Sequence, residues 1–245
     1  MGFLRSCVVG VSIAYFKIFH KVEVMGLENI PKEGAYILCS NHIHWKDPLL
    51  CVSSVKRMVY AIGKEELFSS KFKNWIMRRL GVIPVKRDGS GSNGASVLEA
   101  INKLKAGYLL LIYPEGTRFG LRKGIKPKKG VALMAMEARV PIIPMAMVGS
   151  FKPFTKIKMI VDKPMDITEF LPEEGKKIEL RNMVKLTNKV MDRIVELRDS
   201  INTEEIERQM NEAEDKREKK IEAKIEKQKM LAENSEKVGE KEWIS

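Results

Sequence analysis

Three histidines, His20, His42 and His44, set the limits of any imidazole chemistry in this chain. His20 closes an apolar leader, which leaves His42 and His44 as candidates. Both lie in Cys39-Ser40-Asn41-His42-Ile43-His44-Trp45-Lys46-Asp47-Pro48, which follows an apolar run and opens a helical pattern. On a straight helix His42 and Asp47, five residues apart, would point away from each other. A turn brings the carboxylate onto the ring, where Asp47 fixes the tautomer and stabilises the imidazolium while His42 takes a proton from a hydroxyl. Asp followed by Pro also reads as a plain helix N-cap and N1 pair. His-x-His with Asp47 would suit a metal, but no further histidine or carboxylate cluster lies near, so none is expected.

Two other segments gather cations. Tyr113-Pro114-Glu115-Gly116-Thr117-Arg118 follows an apolar run, and from Arg118 to Lys129 six basic residues occur without an acid. A helix starting near Gly130 adds its partial positive charge, and Arg118 is the natural bidentate phosphate ligand. Lys123 to Lys129 read equally well as a solvated basic loop. Gly81-Val82-Ile83-Pro84-Val85 runs into Lys86 and Arg87. Residues 89–94 then satisfy G-x-G-x-x-G, with Glu115 about twenty residues on. Three charged residues separate that apolar run from the first glycine, so a Ser/Asn-rich loop is the simpler reading than a dinucleotide site.

These segments need elements to hold them. Short β-rich runs at 21–25, 35–39, 58–62, 82–85, 108–112, 142–148 and 157–161 alternate with helical patterns at 48–55, 71–80, 95–105, 130–139 and 178–200. That alternation predicts an α/β domain with a mostly parallel central sheet flanked by helices. Ligands in such sheets bind beyond the carboxyl ends of the strands, which is where the loops near Asn41, Lys86 and Tyr113 begin.

The expected organisation is an N-terminal helix at 1–20, a domain at 21–203 and a charged tail at 204–245. In the leader, Leu4, Val8, Val11, Tyr15 and Ile18 form an apolar stripe at helical spacing. Its charge-free stretch, 6–16, is short of the roughly 20 residues that span a bilayer. Flanked by Arg5, Lys17 and Lys21, it reads as an amphipathic helix lying on an anionic membrane surface or, equally simply, as a helix packed on the domain. The tail crowds charges of both signs and reads as a solvated helix or a disordered segment. Its 10 basic and 13 acidic residues mask a net charge of +15 in residues 1–203, within +12 for the whole chain. So basic a body seeks polyanions: nucleic acid, an anionic membrane or phosphorylated substrates. Cys7, Cys39 and Cys51 are odd in number and lack a C-x-x-C pair, which argues for a reducing compartment.

Taken together, Asn41-His42-x4-Asp47, Ile83-Pro84-Val85-Lys86-Arg87, Glu115-Gly116-Thr117-Arg118 and Val140-Pro141-Ile142-Ile143-Pro144 resemble the glycerolipid acyltransferase family, most nearly its bacterial 1-acyl-sn-glycerol-3-phosphate branch. The four blocks stand in order across residues 20–200. The resemblance implies transfer of a fatty acyl group from acyl-CoA or acyl-carrier protein to lysophosphatidate, giving phosphatidate in phospholipid biosynthesis, with no cofactor and no metal. It implies His42 as general base, Asp47 as its orienting group, and Lys86, Arg87, Glu115, Gly116, Thr117 and Arg118 as substrate-binding residues. Pro141 to Pro144 match a block placed near the acyl chain. The choice of His42 over His44 rests on the resemblance. The partners implied are the acceptor lipid, the thioester or its carrier protein, and an anionic membrane on its cytoplasmic face, with no nucleic acid. Other lyso-lipids or glycerol 3-phosphate are alternative acceptors. A thiol mechanism through Cys39 or Cys51 and a non-catalytic protein binding anionic lipid or nucleic acid are the competing classes.

Overall fold

The computed structural model describes residues 2–86, 93–118, 120, 124–173 and 175–201. The expected tail at 204–245, Arg87 and most of the glycine-rich stretch 89–94 lie outside the described residues. In chain order the elements are α1 (Phe3–Phe19), β1 (His20–Met25), β2 (Tyr36–Ser40), α2 (Asp47–Ser54), β3 (Val59–Lys64), α3 (Lys71–Arg79), β4 (Val82–Val85), α4 (Gly94–Lys105), β5 (Leu109–Ile112), α5 (Gly130–Ala138), β6 (Ile142–Gly149), β7 (Thr155–Val161) and α6 (Leu180–Asp199). Short 3-10 turns at Leu27–Asn29, Glu65–Phe68 and Thr168–Phe170 fill connections.

The described strands form a seven-stranded sheet in the order β1-β7-β6-β2-β5-β3-β4. All neighbours run parallel except β6 and β7, which form an antiparallel pair. β2, β5 and β6 lie at the centre and read as continuous apolar runs because both faces are covered. Ile37, Leu38, Cys39, Leu109, Leu110 and Leu111 are wholly buried.

Alternation along the strands sorts the core into two layers. Ile37, Cys39, Leu110, Ile112 and Ile83 face a cluster built with α4, α5 and α6. α6 supplies Leu186, Val190, Ile194 and Leu197 from one stripe, and its other sides stay polar. α1 packs on α2 and on β1. With α3 these helices enclose a cavity floored by Gly63 and Val82, the strand positions that alternate with the core-facing Ile62 and Ile83.

The leader helix departs from the expected stripe. Its buried residues are Arg5, Ser12 and Phe16, while Phe3, Val11 and Ile18 are 87%, 69% and 63% exposed. Arg5 and Ser12 thus point inward beside Phe16, Val8 and Val9 line the cavity, and Phe3, Val11 and Ile18 point outward. Arg5 Nη1 donates to the Leu80 carbonyl at 2.6 Å, tying α1 to the end of α3. Burial lowers the Arg5 pKa from its ordinary value, and its Nε has no hydrogen-bond partner.

Candidate active site

The carboxyl ends of β2 and β5 deliver the site. Just past β2, Asn41 replaces a strand peptide with its side chain. Its Nδ2 donates to the Met147 carbonyl at 2.8 Å, and its Oδ1 accepts from the Met147 amide at 2.7 Å. The loop that follows is thereby stitched to β6 before it turns away. Residue 42 is the first free of the sheet.

His42 Nδ1 and Asp47 Oδ2 are 2.8 Å apart. The same oxygen accepts from the backbone N–H groups of Ile43 at 2.7 Å and His44 at 2.8 Å. The turn closes with the Asp47 amide donating to the His44 carbonyl at 3.1 Å. Asp47 is therefore not the N-cap that Asp before Pro suggested: Lys46 holds that position and Pro48 falls in the first turn. The carboxylate reaches back to the amides preceding it rather than forward into the helix. Asp47 is fully buried. Burial pushes its pKa up, and the imidazole and two amides oppose that shift by bonding to the charged form. An ionised carboxylate only accepts, so the ring carries its proton on Nδ1 and offers the Nε2 lone pair outward.

Two β5-loop residues complete the imidazole's seat. Tyr113 stacks on His42 with ring centroids 4.3 Å apart. Its hydroxyl is buried without a partner, and burial followed by the nearby Asp47 charge holds its pKa well above the phenol's ordinary value. Glu115, expected among the substrate-binding residues, is 2% exposed and accepts the His42 backbone N–H at 3.0 Å. In that position it braces the loop that carries the imidazole. Gly116 turns the chain at φ +64, a conformation an L side chain rarely adopts. Gly120 leaves room for Glu115, since a Cβ there would stand 2.8 Å from Oε2.

His42, Thr117, Arg118 and Lys64 open together on a cavity of about 650 Å³, whose wall also carries Arg5 and Ser12 and is for the rest mostly apolar, with Val8, Leu49, Val52, Leu67 and Met77. Lys86 sits exposed at the end of β4, its backbone N–H and carbonyl bonded at 2.8 Å to the Asn93 side chain. It does not line the cavity. His44 stacks on Phe151 at 4.6 Å, and its Nδ1 accepts from the Lys46 amide at 3.3 Å. The two rings of His-x-His thus serve different neighbours, and among the described residues no three His, Cys, Asp or Glu side chains converge as metal ligands. Cys39 and Cys51 are buried, which raises the Cys51 thiol to about 12 and Cys39 further still.

Sequence reasoning gave Lys64, Arg5 and Tyr113 no place at the site. A cation ending a β-rich run was a usable signal for Lys64, and an aromatic heading the Glu115 block for Tyr113. The inward turn of Arg5 had none, because a cation flanking an apolar stripe is expected to face outward.

Over residues 21–148 the sequence matches the model of the Acyltransferase family. The chain is 26% identical over 187 residues to the 1-acyl-sn-glycerol-3-phosphate acyltransferase of Bacillus subtilis, covering 74% of this chain and 89% of that protein. It is 31% identical over 153 residues to the enzyme of the same name from Borreliella burgdorferi, covering 62% and 60%. Among solved structures it resembles the 1-acyl-sn-glycerophosphate acyltransferase of Thermotoga maritima, with a TM-score of 0.59, 28% identity and 78% of each chain covered.

Proposed function

The chain belongs to the acyltransferase family, and we propose that within it the enzyme transfers a fatty acyl group from acyl-CoA or acyl-carrier protein to the sn-2 hydroxyl of 1-acylglycerol 3-phosphate, forming phosphatidate. One observation carries the reading: the Asp47-held imidazole opens on the rim of a large apolar cavity where Lys64 and Arg118 also stand. A general base, room for a hydrocarbon chain and cations for a phosphate are what this transfer requires. The names of the relatives in Bacillus, Borreliella and Thermotoga support the same acceptor.

In this mechanism His42 Nε2 removes the acceptor hydroxyl proton as the oxygen attacks the thioester carbonyl. Asp47 stabilises the resulting imidazolium and keeps its Nδ1–H directed. The tetrahedral intermediate collapses by breaking the C–S bond, and the imidazolium returns the proton to the departing thiolate. A thioester is already activated, so no acyl-enzyme is needed. Cys39 and Cys51 are too deeply buried and too weakly acidic to supply one. Arg118 and Lys64 hold the acceptor phosphate, with Lys86 adding charge from the β4 end and Arg87 expected with it from the sequence block alone, and Thr117 lines the way in. Gly116 lets the chain turn tightly beneath it.

The lipid acceptor places the enzyme at a membrane, on the anionic cytoplasmic leaflet, with the aliphatic outer side of α1 resting in the interface. Among the described residues no helix is long and apolar enough to cross a bilayer.

The test is acyl transfer from labelled acyl-CoA and acyl-carrier protein to a panel of lysophospholipids and glycerol 3-phosphate. Lysophosphatidate is expected as preferred acceptor, and Arg118→Ala is expected to raise its KM about tenfold or more with a smaller change in kcat. Absence of transfer to every acceptor overturns the reading.

A further inference from the structure

α3 is the one described helix of eight or more residues with no buried side chain on it. Ser70 caps it, accepting from the Lys73 amide at 3.2 Å. Met77 turns toward the protein and reaches the cavity wall. The side away from Met77 holds Phe72, Trp75 and Arg79 at i, i+3 and i+7, one face of a helix, with half-buried Ile76 at its edge. Phe72 is 70% exposed and Trp75 50%. Their rings stack at 6.4 Å, and the Arg79 guanidinium lies 5.4 Å over Trp75. Lys71 is exposed beside them, whereas Lys73 is exposed on the Met77 side, its Nζ donating to Ser69 Oγ at 3.3 Å.

Two large aromatics held in water and ringed by cations need an explanation that a solvated helix does not give. α3 itself contains no acid. Of the nearby carboxylates, Glu66 pairs with Lys64 at 3.1 Å and Glu99 with Arg78 at 2.7 Å, and Glu65 stands in the preceding turn. Lys71 and Arg79 are left to meet an anion. Tryptophan and phenylalanine between cations is the composition of an element lying at a headgroup boundary. The placement agrees: α3 and α1 wall the same cavity and are joined by the Arg5–Leu80 hydrogen bond. α3 thus forms one flank of the cavity that reaches His42.

We propose that the outward face of α3 is a second docking surface for an anionic lipid bilayer, with Phe72 and Trp75 seated in the interface and Lys71 and Arg79 on the headgroups. The choice of a bilayer over another polyanion rests on the lipid-acyltransferase reading above. Docking at two helices fixes the tilt of the domain as well as its attachment, and holds the cavity flank against the lipid.

The full chain carries three tryptophans, so Trp45→Phe with Trp243→Phe isolates Trp75 as a reporter. On vesicles of brominated phosphatidylglycerol its emission is expected to shift to the blue and to be quenched, with much less effect on phosphatidylcholine. Lys71→Gln weakens partition roughly fivefold without lowering Tm. If the tryptophan background fails to fold, an environment-sensitive label on Phe72→Cys in a Cys7→Ser chain reads the same shift. Failure to bind vesicles, or an unshifted reporter on vesicles that do sediment the chain, overturns the proposal. So does an equal shift with a single-stranded oligonucleotide and no vesicles. Acyl transfer is scored separately. Transfer with an unshifted reporter removes α3 docking alone, while a quenched reporter without transfer removes the catalytic reading and leaves the surface.

Discussion

Asp47 receives three N–H groups on one oxygen, while its other oxygen is buried without a partner. The arrangement fixes the ring and two loop amides together, so removing the charge affects chemistry before it affects binding. Asp47→Asn is expected to lower kcat by about 10²–10⁴ with little change in either KM. His42→Ala should fall to background, whereas His44→Ala keeps turnover because that ring serves Phe151; steady-state kinetics on lysophosphatidate decide both. The thiols give a second check. A thiol whose pKa is raised stays protonated until the pH climbs to the new value, so at pH 8 iodoacetamide should label exposed Cys7 and leave Cys39 and Cys51 intact in the folded chain. Peptide mapping reads this directly, and rapid loss of Cys51 would reopen a covalent route. His42 and Asp47 were legible because their spacing requires a turn that a strand-to-helix loop supplies. The placement of Glu115 was not, since an acid in a basic loop gives no sign that it will be buried under a neighbouring amide. Lys64 and Arg5 join the cavity only because β3 and α1 fold beside it from distant parts of the chain.

Elements explain why the site loop holds still. Asn41 sits at the last position where β2 can bond to β6, and it uses both ends of its amide to do so. Asn41→Ala leaves a buried N–H and a buried carbonyl on Met147 unpaired, at a cost of about 1–3 kcal/mol for each group. Denaturant unfolding should show that loss, with kcat falling further than occupancy of the folded state explains. α2 contributes Leu49 and Val52 to the cavity wall. Val52→Phe fills part of that volume, and a donor series should show the preferred acyl chain shortened while turnover of short donors persists. Of the elements, the strands and α2 to α6 were readable within a few residues, because parallel strands buried on both faces are apolar runs and the later helices carry clear stripes. α1 was readable as a helix but not in its orientation. Hydrophobic spacing assumes that apolar residues face the protein, and here Arg5 and Ser12 do.

At the scale of the whole molecule, β1 and β7 extend the sheet beyond β6 and α6 closes over it. Arg193 on α6 donates to Asp162, just past β7, with Nε and Oδ2 2.5 Å apart. Partial burial, the largest single influence, would raise the Asp162 pKa. The hydrogen bonds from Arg193 and the Lys163 backbone N–H and the charges of both residues together outweigh it, and the group is lowered. A lowered carboxylate stabilises the fold above its unfolded pKa and loses that contribution as pH falls through the folded one. Asp162→Asn should therefore lower Tm at neutral pH, and the gap to wild type should close in acid; a gap independent of pH would assign the effect to packing. The net charge was legible from composition alone, yet which cations matter was not, because Lys64 and Arg118 become neighbours only when β3 and β5 pair in register. One joint also governs how the molecule sits. α1 ends at Phe19 and β1 begins at His20, with no residue between them, and Phe154 donates its amide back to the Phe19 carbonyl at 2.5 Å. The helix is thus a mooring rather than a leash. Whatever grips it grips the sheet at one fixed angle, and the mouth of the cavity is carried along at that angle.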